Sequence, residues 1–270
     1  MKMAISNIAW EQHDDPVVLA QLKELGISGI EIAPTKVWPN WENASQKSAE
    51  EYKNKLNDLG FKIPSLQAIL FGKSELNLFN TGCHNQFLEH IKLIADIANG
   101  LDANVVVFGS PRNRKRNQVS FSEAEKIAQV FFEKAGDICQ QRNCKIGIEH
   151  NPVEYGCDFL TNVKDVSEFV QKLNHPAVQL HVDSAGIHMC GGNISDVIEQ
   201  SIPFIHYHIS EPMLESISGG VVDHIAAANS LNSINYNNWL SIEMKQPDNI
   251  EQVYASISKS LADYNLQLQS

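Results

Sequence analysis

Short apolar segments alternate with helical patterns along the whole chain. Eight segments are rich in apolar and β-branched residues, as buried parallel strands are: MAISNIAW, GISGIEIAP, FKIPSLQAILF, ANVVVFGSP, CKIGIEHNP, AVQLHVDS, PFIHYHISEP and NWLSIEM. Helical periodicity and capping residues predict helices at roughly 14–25, 46–59, 84–99, 122–142, 163–173, 193–200, 223–231 and 249–264. The segments SFSE (120–123) and SEAE (122–125) both match the capping box that begins a helix.

Eight strands that alternate with eight helices predict the α/β class and a (β/α)8 TIM barrel. No linker rich in Pro, Gly or Ser divides the chain, so we expect a single barrel domain over residues 1–270. A doubly wound open sheet is the alternative. It is less favoured because no GxGxxG turn follows the first strand and two extra strand–helix units would have to be placed.

Charged and imidazole side chains stand at the ends of four successive predicted strands. The fifth to eighth strands end at Glu149, at Asp183, within HYHIS, and at Glu243. In a TIM barrel these ends share one rim, where active sites lie. Three carboxylates buried together would cost several kcal/mol each without a counter-charge, so the pattern predicts one divalent cation. Three oxygens and one nitrogen favour Mn²⁺, with Mg²⁺, Co²⁺ and Zn²⁺ as alternatives.

The seventh strand offers two imidazoles for this cation. His206 and His208 share a face of the strand, about 6.6 Å apart at a rise of about 3.3 Å per residue. Because the rim is at the carboxyl end of the strand, we predict His208 as the ligand. The same parity places His181 one layer beneath Asp183, and we expect His181 and His206 to be interior partners of neighbouring groups.

The composition of the chain restricts the kinds of partner that it can bind and the compartment in which it is expected. The chain has 43% hydrophobic residues and a net charge of −11, which predicts a sizeable core and disfavours binding of nucleic acid. No apolar run approaches the roughly 20 residues that span a membrane. The N-terminal segment lacks a secretory apolar stretch, and the five cysteines lack CxxC spacing. We therefore expect free thiols and a cytoplasmic location.

Four segments of the chain resemble a known family. They are GIEHNPVEYGCDF, HVDSAGIHM, HYHISEP and GGVVDHIAAANSLNSINYNNWLSIEM, and they are similar to the xylose isomerase-like TIM barrels. The likeness covers essentially the whole chain, is most specific over 145–244, and is greatest to sugar or sugar-phosphate isomerases and epimerases such as the ketose 3-epimerases. It implies that Glu149, Asp183, His208 and Glu243 bind one divalent metal and that Glu149 and Glu243 also carry protons.

The resemblance also implies contacts with substrate. His188 matches a family histidine that contacts a substrate oxygen, although the family often has two residues between Asp and His where this chain has four. Glu211 matches a position near the site. The ketose epimerases often carry an arginine soon after it, whereas this chain has PMLES, so one substrate contact is absent or replaced.

The residues themselves suggest the same chemistry and further contacts. A metal acidifies the carbon of an α-hydroxy carbonyl compound, and carboxylates on two sides of it can then exchange protons through an enediolate. Gln67 and Asn151 are candidates for binding sugar hydroxyls, and Glu31 either binds a hydroxyl or pairs with a buried histidine. Arg112 belongs to the basic loop GSPRNRKRN, which is either a solvated loop or a site for a phosphate or carboxylate.

The predicted function is thus a metal-dependent isomerase or epimerase of a small sugar or sugar phosphate, and a homo-oligomer is left open. A dehydratase or lyase acting on a keto-sugar or inositol would use the same enolate chemistry. An apurinic-site endonuclease would need extra histidines after the third and fourth strands, and SLQAILFGK and VVVFGSPRNR contain none. A non-catalytic sugar-binding barrel would not require the full set of metal ligands.

Overall fold

The computed structural model of the protein describes residues 1–265, with eight parallel strands at its centre. The strands are β1 (Lys2–Ser6), β2 (Gly29–Glu31), β3 (Ser65–Leu66), β4 (Val105–Phe108), β5 (Lys145–Glu149), β6 (Val178–Asp183), β7 (Phe204–Ser210) and β8 (Trp239–Glu243). Their spatial order is β2-β1-β8-β7-β6-β5-β4-β3. All eight predicted strands are confirmed.

The two strands at the ends of this order, β2 and β3, also meet. A bridge pairs Ile32 with Leu66. The backbone N–H of Ile32 donates to the carbonyl oxygen of Ser65, and that of Gln67 donates to the carbonyl oxygen of Ile32, both at 3.0 Å. The sheet therefore closes into the predicted single (β/α)8 TIM barrel. We call the short contact between β2 and β3 the seam of the barrel.

Helices connect the strands along the outside of the barrel. They are α1 (Asp15–Glu24), α2 (Pro34–Val37), α3 (Gln46–Asp58), α4 (His84–Leu101), α5 (Phe121–Gln140), α6 (Val163–Leu173), α7 (Ser184–Met189), α8 (Ile194–Gln200), α9 (His224–Ser233) and α10 (Glu251–Asp263). The eight predicted helices end within two residues of their expected limits, and α2 and α7 are additional short helices. Within residues 1–265, no helix is both long and apolar enough to cross a membrane.

The first of the two capping-box segments begins α5. Ser120 is the N-cap residue, and its hydroxyl accepts a hydrogen bond from the backbone N–H of Glu123 at 3.3 Å. This bond satisfies one of the amides that the first turn of a helix leaves without a partner. The alternative box, SEAE, falls inside the helix.

Aromatic side chains fill one side of the layer between the strands and the helices. Phe87 of α4, Phe108 of β4, Phe131 and Phe132 of α5, and Phe169 of α6 are at most 2% exposed. Their contacting rings have centroids 4.6 to 6.1 Å apart. We call these five residues the aromatic shell. Their burial removes a large apolar area from water, which is the main stabilising contribution to such a layer.

The inside of the barrel has a different composition. Glu31, Ser65, His181, His206 and His208 are at most 1% exposed and lie against one another. We call these five residues the polar interior. Since buried polar groups are costly unless they are paired, Ser65, His206 and His208 are grouped around one oxygen of Glu31. It lies directly beneath the carboxyl-terminal rim of the strands.

Candidate functional site

The four predicted metal ligands converge at the rim of the barrel. One donor atom from each of Glu149, Asp183, His208 and Glu243 lies within 4.8 Å of the others. Nδ1 of His208 is 3.3 Å from Oε1 of Glu149, 3.1 Å from Oε2 of Glu243 and 4.0 Å from Oδ2 of Asp183. Strand register explains the convergence. Asp183 of β6 pairs with His208 of β7, and Glu243 of β8 pairs with Ser210, two positions after His208 on the same strand. We call these four residues the rim cluster.

Glu31 orients the histidine of the rim cluster from below. Nε2 of His208 is 3.1 Å from Oε2 of Glu31 and donates to it. Glu31 thus favours a proton on Nε2, and Nδ1 faces the three carboxylates, where its lone pair would be free for a metal once that nitrogen is deprotonated. Nδ1 has no hydrogen-bond partner among residues 1–265. A carboxylate behind the distal nitrogen of a histidine is the usual arrangement of metal-binding histidines, since it fixes the tautomer and the ring.

His206 lies one layer deeper than His208. Its Nε2 is 3.0 Å from Oε2 of Glu31, and the hydroxyl of Ser65 donates to the same oxygen at 2.6 Å. Two other groups meet the same distance criterion for metal ligands: Glu31 with His206 and His208, and Glu149 with His181 and His208. Only the rim cluster, however, places three of its members on the wall of an open cavity.

The environment of Asp183 leaves its charge uncompensated. Oδ1 accepts from the backbone N–H of Gly186 at 2.6 Å, and Oδ2 accepts from the hydroxyl of Ser210. Burial, followed by repulsion from Glu149 and Glu243, nevertheless raises the pKa of Asp183 to about 7. The pKa of a carboxyl group rises this far when it is largely buried and other negative charges lie close to it.

The pKa values of the other members of the rim cluster are also shifted. Burial raises the pKa of Glu149, but the neighbouring imidazoles of His181 and His208 outweigh it and hold that pKa well below its ordinary value. Burial also raises the pKa of Glu243, although His208 opposes the shift. For His208, burial disfavours the imidazolium, yet the charges of Glu31 and Glu243 raise its pKa well above the ordinary value.

The rim cluster has the chemistry of a divalent cation site. Three carboxylates and one unpartnered imidazole nitrogen surround one point, and a divalent charge there would offset the repulsion that raises the pKa of Asp183. The donor set of oxygens with one nitrogen suits several divalent metals. A metal bound there would replace a proton on His208, so that binding and protonation compete.

A cavity of about 790 Å³ opens above the rim cluster. Three of the predicted substrate contacts line it, namely Gln67, Asn151 and Arg112. The amide of Asn151 lies 3.2 Å from Oε2 of Glu149 and donates to it, and the amide of Gln67 donates to the hydroxyl of Ser6 at 2.8 Å. The loops after β3 and β4 form one wall of the cavity, which is large enough for a small sugar.

The other three predicted contacts lie away from the cavity wall. Glu31 is buried beneath the rim cluster and pairs with histidines, the second of the two roles considered for it. Glu211 is buried at the base of the following loop, where it accepts from the backbone N–H groups of Val221 and Val222. Both residues thus hold neighbouring structure, and contact of either with a substrate stays a prediction.

His188 also lies outside the cavity, and the helix α7 explains why. The carboxylate of Asp183 caps α7, so the chain turns into a helix directly after the strand. The first four residues of α7 are buried and His188 is exposed on its outer side. A histidine five positions after Asp183 is therefore exposed, and the substrate contact of His188 stays a prediction.

The basic loop after β4 has two environments. Arg112 and Lys115 are exposed, whereas Arg114 is completely buried, and none of its guanidinium nitrogens has a hydrogen-bond partner among the described residues. Nε of Arg116 donates to the carbonyl oxygen of Asp158 at 2.8 Å. The loop is therefore only partly the solvated segment that its composition suggests. Alternation along the sequence gave no sign that Arg114 is buried.

Sequence reasoning also missed two side chains on the cavity wall. His150, next to the ligand Glu149, is buried there, and the ring of Tyr155 lies across the loop. The hydroxyl of Tyr155 accepts a hydrogen bond from the backbone N–H of Met213 at 3.0 Å, which ties the loops after β5 and β7 together. Burial raises the pKa of Tyr155 to about 12. The position of His150 directly after a strand-end carboxylate is the signal that could have identified it.

Comparison with known families identifies the class of this barrel. The family model described as "Xylose isomerase-like TIM barrel" matches residues 19–264. The chain therefore belongs to this family, as the sequence resemblance predicted.

Solved structures with the same fold include several sugar enzymes. D-psicose 3-epimerase, determined in the presence of D-fructose, is 15% identical, with a TM-score of 0.81 and 100% of both chains covered. The 3-keto-D-glucoside 4-epimerase YcjR from E. coli is 14% identical, with a TM-score of 0.76 and 99% of this chain and 100% of that chain covered. The IolI protein with a bound zinc atom is 20% identical, with a TM-score of 0.73 and coverage of 98% and 95%. A search of curated proteins gives no significant match. At these identities, the likeness establishes the fold.

Proposed function

We propose that the protein is a divalent-metal-dependent isomerase or epimerase of a small sugar or sugar phosphate. The observation that carries the proposal is the rim cluster, in which four donor atoms lie within 4.8 Å of one another and three of the residues line a cavity of about 790 Å³. The epimerases among the similar structures support the same reaction class. The five cysteines form no disulfide, which agrees with the cytoplasm as the compartment.

Glu149 and Glu243 are the proposed proton carriers. They come from the non-adjacent strands β5 and β8, and one oxygen of each lies within 3.3 Å of the same imidazole nitrogen. A divalent ion in the rim cluster supplies Lewis-acid polarisation of the carbonyl and hydroxyl oxygens of the substrate. One glutamate then removes the proton from the carbon next to the carbonyl group, and the other returns a proton.

The place where the proton is returned decides the product. A proton returned to the opposite face of the same carbon inverts that centre, which is epimerisation. A proton returned to the adjacent carbon moves the carbonyl group, which is isomerisation. The amide of Asn151 donates to Oε2 of Glu149 and so keeps the second oxygen of that carboxylate fixed while its partner exchanges the proton.

Mn²⁺ is the proposed native metal. Three carboxylates and one imidazole form an oxygen-rich donor set, which suits Mn²⁺, with Mg²⁺, Co²⁺ and Zn²⁺ as alternatives. In the similar IolI protein, the bound metal is zinc. Metal analysis of the purified protein beside its Asp183→Asn variant tests the assignment, since the variant is expected to lose most of the metal. Equal occupancy in both proteins would contradict it.

A metal-cluster nuclease is not favoured by the cavity. The loops after β3 and β4 contribute Gln67, Lys73 and Arg112 to its wall, but none of the histidines that additional metals would require. The wall does contain basic side chains, so both neutral and phosphorylated sugars belong in any substrate screen.

A screen of aldoses, ketoses and their phosphates tests the proposed reaction. With Mn²⁺ present, NMR is expected to detect a new stereoisomer or a carbonyl-shifted isomer from at least one substrate. Product formed in D₂O is expected to carry deuterium at the reacting carbon, because the carboxylate that returns the proton can exchange it with solvent. Lack of conversion of every sugar by protein with full metal occupancy would overturn the proposal.

A further inference from the structure

His150 is a buried polar side chain on the cavity wall that no part of the proposed reaction uses. It is 1% exposed. Neither Nδ1 nor Nε2 has a hydrogen-bond partner among residues 1–265. His150 is nevertheless one of the residues that line the cavity above the rim cluster. An imidazole without a partner is unusual in a protein interior, where nearly all polar groups are satisfied.

Other buried or half-buried histidines of this protein show what a structural role looks like. Nε2 of His90 is 2.8 Å from the carbonyl oxygen of Ile69, and Nε2 of His84 is 2.8 Å from that of Leu78. Each of these rings is held by the backbone of a neighbouring loop. His150 makes no such bond, so packing alone does not explain why an imidazole occupies its position.

The backbone of α7 leaves room for the ring of His150. A Cβ atom at Gly186 would lie 2.5 Å from Nε2 of His150, closer than any such contact in real structures. The position of this added Cβ atom is 3.2 Å from Oδ1 of Asp183. Only glycine therefore allows the imidazole to lie here, and the ring is beside a member of the rim cluster. Substrate oxygens next to the metal centre would be within its reach.

We propose that His150 binds a hydroxyl or carbonyl oxygen of the substrate, next to the oxygens held at the rim cluster, and so helps to determine which sugar is accepted. This inference rests on the proposed function. A neutral imidazole has one N–H donor and one acceptor nitrogen, which matches a hydroxyl group that both accepts and donates. A site built to hydrogen-bond a hydroxyl discriminates strongly against the analogue that lacks it.

Binding measurements on the metal-loaded protein test the role of His150. The probes are D-fructose, D-psicose and L-ribulose, each beside its singly deoxygenated analogues, with isothermal titration calorimetry on Mg²⁺-loaded protein. His150→Phe keeps a planar ring and removes both nitrogens. It is expected to weaken binding of at least one parent sugar by about tenfold or more, and to bind the analogue that lacks the contacted hydroxyl within twofold of wild type.

Two further variants separate the contact from a folding effect. Gly186→Ala leaves His150 unchanged but displaces its ring, so it is expected to cause a similar loss that does not add to that of His150→Phe. His150→Gln restores part of the affinity because its amide still offers a donor and an acceptor. His13→Phe, at an exposed position off the cavity wall, is the control and is expected to bind like wild type. Metal content and melting temperature should be unchanged in His150→Phe, His150→Gln and His13→Phe. Gly186→Ala is compared at full metal occupancy, because its Cβ would also approach Oδ1 of Asp183.

The outcomes distinguish this inference from the proposed function. If the wild-type protein binds none of the three ketoses, the proposed contact of His150 with these sugars is overturned, whereas the proposed function is decided by the wider screen of aldoses, ketoses and their phosphates. If it binds them and His150→Phe retains the same affinities and the same preference over the deoxy analogues, the role of His150 is wrong while the proposed function stands.

Discussion

The aromatic shell lies outside the sheet and the polar interior lies inside it, and the two are held together by different forces. In the aromatic shell, Phe108 packs against Phe87 and Phe132 with centroid distances of 6.1 and 5.0 Å, and no polar group needs a partner. In the polar interior, each member depends on its neighbours. Stability resides in the shell, whereas the interior is kept for its chemistry and stabilised only by specific pairing.

Glu31 shows how tightly the polar interior is paired. Burial raises the pKa of its carboxyl group, but the charge of His208 and the hydrogen bonds from His206 and His208 outweigh burial and hold the pKa far below the ordinary range. Its Oε2 takes part in three hydrogen bonds, and its Oε1 has no partner among the described residues. A single substitution in the interior therefore disturbs several groups, while one in the shell mainly leaves a cavity.

The largest expected effect is the loss of turnover in Glu149→Gln and Glu243→Gln. Glutamine keeps the shape and a coordinating oxygen but cannot act as a base, so each variant should lower kcat by roughly 10²–10⁴-fold with little change in KM. Steady-state kinetics with the sugar found in the screen measure both constants. Near wild-type rates in both variants would mean that these glutamates are only structural ligands.

The next largest effect is on stability, and it belongs to the aromatic shell. Phe132→Ala is expected to lower the free energy of unfolding by about 3–5 kcal/mol, because Phe132 is completely buried and its removal leaves a cavity. Val130→Ala in the same helix, at 52% exposure, is the control and should change it by less than about 1 kcal/mol. Urea denaturation of the metal-loaded proteins measures both, and equal losses would contradict the contrast between the two regions.

Glu31→Gln is expected to affect the metal more than the fold. Glutamine cannot supply the negative charge behind Nε2 of His208, so metal affinity should fall by roughly 10–100-fold. Competition with a chelating dye gives the dissociation constant. Lys53→Gln, which breaks an exposed ion pair with Asp102 far from the interior, serves as a control and should leave that constant unchanged. Unaltered affinity in Glu31→Gln would show that Glu31 does not orient His208.

The smallest expected effect is a pH-dependent proton release on metal binding. Burial and its acidic neighbours raise the pKa of Asp183 to about 7, so a proton competes with the metal below that pH. Affinity should therefore increase as pH rises from 6 to 8, and more protons should be released at pH 6 than at pH 8. Ser210→Ala removes a hydrogen bond that lowers this pKa and should move the transition upward. Calorimetry in two buffers of different ionisation enthalpy counts the protons, and a count that is independent of pH would contradict the assignment.

The parts of the site that the sequence predicted depend on regular geometry. In parallel strands that alternate between two faces, a residue's position in its strand determines both its side and its depth. Glu149, Asp183 and Glu243 end their strands, and His208 is two positions beyond His206 on the same face. Their convergence could therefore be predicted without any knowledge of the loops.

The remaining residues depend on irregular structure that alternation does not encode. His188 is outside the cavity because α7 begins immediately after Asp183 instead of an open turn. Glu211 is beneath a loop whose path is decided by its own hydrogen bonds to the backbone of Val221 and Val222. Arg114 and His150 belong to segments in which no period relates sequence position to burial.

The bond between Glu31 and Ser65 connects the seam of the barrel with the rim cluster, the candidate metal site. Glu31 ends β2 and Ser65 begins β3, so their hydrogen bond crosses the place where the sheet has its shortest contact. The same oxygen receives the proton of His208. A cation bound to His208 would require one orientation of the ring, and Glu31 couples that orientation to its bond with Ser65. By thermodynamic reciprocity, a bound cation would then favour contact between β2 and β3, and separation of these strands would weaken binding of the cation. Backbone amides at the seam should thus exchange with deuterated solvent more slowly once the metal is bound, although none of them touches it.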